Sequence, residues 1–179
     1  MCIAIGANEQ ADSILMRYLD VCIAAVVATF SIVQLPALAA DQPSPVPRFA
    51  SLSRDQVYMR EGPTYKHRIL WVYHRKGLPV EIVGQFDVWR RVRDADGTTG
   101  WVHASMIAET RTVLVTTKKP VPIYRADDAR SQILALAQPG VIAKLETCTT
   151  GLCEVDADGT EGWIDKKNIW GVRAGESFH

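Results

Sequence analysis

The chain has 179 residues, 47% of them apolar, and its 20 Lys and Arg balance 20 Asp and Glu to a formal net charge of zero. That length fits one or two small domains, and the apolar fraction supports packed cores and excludes a disordered polyampholyte. The zero balance argues against a dedicated nucleic-acid binder, which carries a strongly basic face.

From Val21 to Leu38 the chain is almost purely apolar apart from Thr29, Ser31 and Gln34, with Met16 and Arg17 before it and Ala37-Leu38-Ala39 at its end. A basic start, an apolar run and a small-x-small exit describe a secretory signal peptide, here residues 1–39 with cleavage after Ala39. The run is marginal for a membrane-spanning helix and carries Pro36 near its end. Residues before Met16 fit a long n-region or a translation start at Met16 itself. The mature protein is therefore expected in the periplasm or secreted, with no stable membrane anchor after cleavage. Cys2 and Cys22 leave with the signal, and neither is preceded by the small apolar residues of a lipid-attachment site. Cys148 and Cys153 remain, an even pair in an exported chain, and are expected to form a disulfide. The four residues Thr149-Thr150-Gly151-Leu152 between them have the length of a hairpin loop, which sets the cysteines opposite each other on paired strands.

Residues 40–48, with Pro43, Pro45 and Pro47, form a stiff polar spacer. Beyond it the chain repeats itself. Asp94-Ala95-Asp96-Gly97-Thr98-Thr99-Gly100-Trp101-Val102 recurs as Asp156-Ala157-Asp158-Gly159-Thr160-Glu161-Gly162-Trp163-Ile164. Tyr58-Met59-Arg60 aligns with Ile123-Tyr124-Arg125, Lys76-Gly77 with Pro139-Gly140, and Ser105-Met106-Ile107 with Lys167-Asn168-Ile169. Two copies result, residues 49–110 and 111–173, with a tail at 174–179. Short runs of β-branched and aromatic residues bounded by turn signals, such as Val80-x-Ile82 and Trp89-x-x-Val92, read as strands. Asp96-Gly97 and Asp158-Gly159 mark hairpins, because glycine accepts the positive φ those turns demand. Each copy is thus a small all-β barrel.

These residues resemble the bacterial Src-homology-3-like domain, in the tandem form of exported proteins of Gram-negative bacteria. The matching parts of copy one are Met59-Arg60-Glu61-Gly62-Pro63, Ile69-Leu70-Trp71-Val72-Tyr73, Lys76-Gly77-Leu78-Pro79-Val80, Trp89-Arg90-Arg91-Val92 and Gly100-Trp101-Val102-His103. Copy two matches at Pro139-Gly140-Val141, Cys148, Cys153-Glu154-Val155, Gly162-Trp163-Ile164 and Ile169-Trp170-Gly171-Val172. It lacks the Arg-x-Gly-Pro element and has Leu152 where copy one has Trp89, so the copies are not expected to do the same job. The resemblance implies two tandem SH3-like β-barrels after a signal peptide. It leaves the ligand open, since such modules are associated variously with cell-wall binding, targeting and protein contacts.

No catalytic residue, metal site or cofactor is expected. The sequence has no glycine-flanked nucleophilic serine and no phosphate-cradling loop, and His67, His74, His103 and His179 are scattered without metal-ligand spacing. Asp94-x-Asp96-Gly97 imitates the start of a calcium loop, lacks its later ligands, and reads as a turn. Trp101 and Trp163 read as core or core-rim residues, and Trp170 as a cap on the second barrel. Tyr58, Tyr65, Trp71, Tyr73 and Trp89 exceed what one small barrel must bury, and flat amphipathic rings suit proline-rich peptides or sugars. On a strand, Arg91 and Arg93 share the face of Trp89 while Arg90 and Val92 take the other. From Arg48 to Arg111, eleven Lys and Arg stand against seven Asp and Glu, whereas from Thr112 to His179 eight stand against nine. The candidate ligand-binding residues are Tyr58, Trp71, Tyr73, Trp89, Arg91 and Arg93, all in copy one. The expected function is a non-catalytic envelope-binding module with peptidoglycan or a periplasmic protein as partner, no nucleic acid, and an oligomeric state left open. A periplasmic protein–protein adaptor is the alternative.

Overall fold

The computed structural model describes residues 45–179; the expected signal segment lies outside them. The first copy contributes β1 (Arg48–Leu52), β2 (Val57–Arg60), β3 (Ile69–Tyr73), β4 (Pro79–Phe86), β5 (Trp89–Arg93), β6 (Thr99–His103) and β7 (Ile107–Ala108). The second contributes β8 (Thr112–Val115), β9 (Val121–Tyr124), β10 (Ile133–Ala137), β11 (Ile142–Cys148), β12 (Leu152–Ala157), β13 (Thr160–Asp165) and β14 (Ile169–Trp170). The strand orders are β3-β2-β6-β5-β4-β1-β7 and β10-β9-β13-β12-β11-β8-β14, the same path traced twice by antiparallel pairs. One 3₁₀ turn precedes the last strand of each, at Ala104–Met106 and Lys166–Asn168. The fold is all-β, two tandem SH3-like barrels.

Period-two patterning builds each core. In β2, Val57 and Met59 are buried while Tyr58 is exposed. The first core gathers Ala50, Leu52, Val57, Met59, Val80, Ile82, Val92 and Val102, and the second gathers Val113, Val115, Ile123, Leu145, Val155 and Ile164 around the cysteines. Turn chemistry matches the sequence. Asp158 and Gly159 adopt φ of 52° and 86° between the paired residues Ala157 and Thr160, the geometry of a two-residue hairpin turn with both central φ positive.

Strand pairing corrects one part of the repeat alignment. Arg60 pairs with Trp101 and Tyr124 with Trp163, so Tyr58-Met59-Arg60 corresponds to Pro122-Ile123-Tyr124, one residue earlier than side-chain identity suggests. The eight-residue connections after these strands keep the same hydrogen bonds: His67 N–H donates to the Thr64 carbonyl as Ser131 N–H does to that of Asp128.

Polar and aromatic contacts join the barrels. The Thr112 hydroxyl donates to the Gly77 carbonyl at 2.6 Å, and Arg75 Nη2 donates to the Gly140 carbonyl at 2.8 Å. Trp170, expected to cap the second barrel, packs edge-to-face on Phe49 of the first at 5.2 Å between centroids. The Arg111 guanidinium lies over Phe49 at 5.8 Å and over Phe178 at 4.9 Å, linking the barrels to the C-terminal residues.

Cys148 and Cys153 form the disulfide, with Cα atoms 4.1 Å apart across the β11–β12 hairpin. The N–H and C=O of Cys148 both bond to Phe178, at 2.9 and 3.0 Å. The backbone of Cys148 therefore points away from Cys153, leaving a non-hydrogen-bonded pair, the closer of the two antiparallel spacings. The tail thus adds a short bridge to the outside of β11. So short a loop yields about 2 kcal/mol in the chain-entropy account. Cys153→Ala is expected to lower the melting temperature by on the order of 5–10 °C, read by calorimetry on oxidised protein.

Glu176 secures the same tail. Burial raises its carboxyl pKa, but hydrogen bonds from the Arg111 guanidinium and the Arg173 N–H, with both positive charges, outweigh this and hold it below its ordinary 4.5. A carboxyl depressed in the folded state stabilises above its unfolded pKa and loses that contribution as pH falls through the folded one. In urea unfolding, wild type should therefore exceed Glu176→Gln in stability at pH 7, and the gap should shrink as pH falls below about 4.5.

Candidate functional site

Barrel closure places the site. Gly100 on β6 lies against β2 so closely that a Cβ there would stand 2.5 Å from Met59 Cγ and 2.9 Å from the Arg60 carbonyl oxygen. Only glycine lets β6 reach Arg60, and Arg60 then governs the connection to β3. Its Nη1 donates to the carbonyls of Tyr65 at 3.1 Å and His67 at 2.8 Å, folding that loop back over the sheet.

The loop brings Tyr65 onto the ends of β5 and β6. Tyr65 meets Trp89 at 5.0 Å and stacks on His103 at 5.8 Å, while Trp89 and His103 meet edge-on at 5.4 Å. Edge-to-face and offset rings are the favoured aromatic geometries. The Arg60 guanidinium lies 5.5 Å from the Tyr65 ring. With Gln56, Tyr58 and Met106 these groups line a cleft of about 120 Å³. Tyr58 and Tyr65 remain 43% and 67% exposed, whereas Trp89 is 5% exposed and backs the cleft. His103 also caps the adjoining 3₁₀ turn, its Nδ1 accepting from Ser105 N–H at 3.3 Å.

The six candidates divide between two places. Tyr58 and Trp89 meet in this cleft. Trp71 and Tyr73 line a separate hollow of about 240 Å³ beside Asp94, Asp96 and Leu114. Tyr73 is buried and donates its hydroxyl to Asp94 at 2.9 Å; burial first, and that hydrogen bond second, push its pKa well above the ordinary phenol value. Tyr73 is thus a neutral, largely buried strut at the edge of that hollow. The other Asp94 oxygen accepts from the N–H groups of Asp96 at 3.1 Å and Thr98 at 2.8 Å, so Asp94-x-Asp96-Gly97 is a self-bonded turn.

Arg91 and Arg93 share the face of Trp89, opposite Trp101 and Thr99, while Val92 enters the core. Arg91 is exposed, but Arg93 is committed to the buried carboxylate of Glu81. Arg60 and His103 are not among the six candidates, and Tyr65 figures in the sequence only as one of the five surplus aromatics. Arg60 and Tyr65 flank Gly62-Pro63, and His103 ends the Gly-Trp strand opposite Trp89, which is the signal that locates them.

Copy two does not repeat the cleft. Register places Pro122, Tyr124, Ala129, Leu152 and Asp165 where the first barrel has Tyr58, Arg60, Tyr65, Trp89 and His103.

Several solved structures are similar to the chain. NlpC2 from Trichomonas vaginalis shares 14% identity at a TM-score of 0.33, covering 69% of this chain and 48% of that one. NlpC1 from the same organism shares 14% at 0.33, covering 73% and 48%, and an NlpC/P60 family protein from Bacillus cereus ATCC 10987 shares 13% at 0.31, covering 70% and 57%. The chain spans about half the length of these proteins. No curated protein matches the chain. The family model described as bacterial SH3 domain matches twice, at residues 53–109 and 117–171, and these two stretches cover more than half of the sequence. With the same strand path observed in both, the chain belongs to the bacterial SH3 domain family.

Proposed function

We propose that this protein is a non-catalytic binding module of the cell envelope, whose first barrel holds a cell-wall or other periplasmic ligand in the Tyr58–Tyr65 cleft. The observation that carries this reading is the asymmetry of the pair. One backbone is built twice, yet exposed rings, a stacked histidine and a guanidinium converge in the first barrel alone. Binding is the general business of this family, and the absence of a nucleophile motif in the sequence keeps the reading non-catalytic. Rings with one open face and polar tips suit sugar rings and short peptides alike, and Arg60 and Arg91 favour a ligand that carries carboxylates, as peptidoglycan stem peptides do. Periplasmic placement rests on the expected signal peptide over residues 1–39.

Pelleting with purified sacculi tests this. The mature protein should co-sediment, and Tyr65→Ala should weaken retention roughly two- to tenfold, the worth of one aromatic contact. Tyr65 is a better probe than Trp89, whose burial makes truncation to alanine cost about 3–5 kcal/mol of stability. Retention that Tyr65→Ala leaves unchanged would remove the cleft from the account, and a protein that stays in the supernatant would remove the wall.

A further inference from the structure

Strand β3 ends the first sheet: it pairs with β2 and, among the described residues, with no other strand. Its outer edge presents unpaired backbone N–H and C=O groups, an arrangement that invites another strand. The edge is also apolar. The successive residues Ile69, Leu70 and Trp71 are 44%, 39% and 58% exposed. Since neighbours on a strand point to opposite sides, both sides of the edge offer apolar contact.

Its flanks are basic: Lys66 and Arg68 precede the strand and Arg75 and Lys76 come after it, all exposed, with Arg68 paired to Glu61 and Arg75 bonded to the Gly140 carbonyl, while Lys66 and Lys76 face solvent. This frame decides what can dock. A second copy adding antiparallel about Trp71 would set Lys66 opposite Lys76, and a parallel in-register copy would set Lys66, Arg75 and Lys76 each against itself. Like charges directly opposite are destabilising, so the edge repels its own kind. A bilayer would take the apolar side chains but leave the edge N–H and C=O groups without partners in hydrocarbon. The second barrel keeps only part of the frame: ahead of its exposed Ile133, Leu134 and Leu136, Asp127 and Asp128 offset Arg130, and uncharged Gln138-Pro139 comes behind.

We propose that the β3 edge docks an extended peptide segment with an apolar centre and Asp or Glu at its ends, added to the sheet as one more strand. Its backbone completes the hydrogen bonds of β3, its apolar residues lie on Leu70 and Trp71, and its carboxylates meet Lys66 and Lys76. The site uses none of the cleft residues, so it stands or falls independently of the wall-binding reading.

Fluorescence anisotropy on the full chain tests it, with a labelled nonapeptide of alternating valine and threonine and two acidic residues at each end. The expected result is saturable binding that weakens at least tenfold when alternate peptide nitrogens are methylated, a change that removes pairing N–H groups and leaves the protein untouched. The double variant Lys66→Glu, Lys76→Glu should lose the acidic peptide at least tenfold and gain a lysine-ended one, while the same exchange at exposed Lys118 and Lys119 of the second barrel (Lys118→Glu, Lys119→Glu) binds as wild type. No binding, or equal binding of the methylated peptide, would overturn the proposal. So would binding to phosphatidylglycerol vesicles in place of the peptide, or self-association through this edge in sedimentation equilibrium.

Discussion

Each barrel closes on one glycine. Gly100 and Gly162 are where the closing strands β6 and β13 pass β2 and β9, and a Cβ at either would stand within 3 Å of a core side chain and a backbone carbonyl. The sheets meet there through a single residue pair, Arg60 with Trp101 and Tyr124 with Trp163. Closure therefore depends on the absence of one side chain, and the placing of three neighbouring groups depends on closure. The tryptophan after the glycine stands on the outer face at half-buried depth, the strand it closes on supplies Met59 or Ile123 to the core, and residue 60 or 124 is held at the root of the loop that leads to the edge strand. A larger residue at Gly100 would displace Arg60, and with it the hydrogen bonds that set Tyr65 over Trp89 and His103.

The two barrels carry different side chains on this shared frame. In the first, the loop after β2 carries Tyr65 and is drawn inward by Arg60. In the second, Ala129 and Tyr124 hold those places, so the ring cluster is not repeated. The second barrel instead devotes its distinctive residues to cohesion: a disulfide across its β11–β12 hairpin, a tail bonded to Cys148, and Arg111 and Trp170 reaching to Phe49 of its neighbour. This division fits a supporting barrel beside a recognising one.

How legible this was in the sequence depends on the range of the interactions. The repeat, the hairpin turns and the disulfide are local, and their residues lie within a few positions of each other. Cys148 and Cys153 are separated by a loop of readable length, and Asp158-Gly159 names its own turn. The alignment of Tyr58 slipped by one residue because identity matched Tyr58-x-Arg60 to the neighbourhood of Tyr124-Arg125, whereas burial alternation and the glycine contact fix the register. On a strand one residue is the difference between core and surface. The candidate site was half legible for the same reason. Trp71 and Tyr73 are as aromatic as Tyr58 and Trp89, but β3 turns Tyr73 inward and sets Trp71 over another hollow. Tyr65 and His103 lie 38 residues apart in sequence and meet only after β6 has closed on β2. Arg93 read as free charge because its partner, Glu81, comes from across the β4–β5 pair.

The central claim is that recognition lies in the first barrel and not the second. Amide chemical-shift mapping of the mature protein with soluble peptidoglycan fragments tests it most directly. The account predicts shifts centred on Tyr58, Arg60, Tyr65 and His103, with Tyr124, Ala129 and Asp165 unmoved. Shifts confined to those second-barrel positions would contradict it.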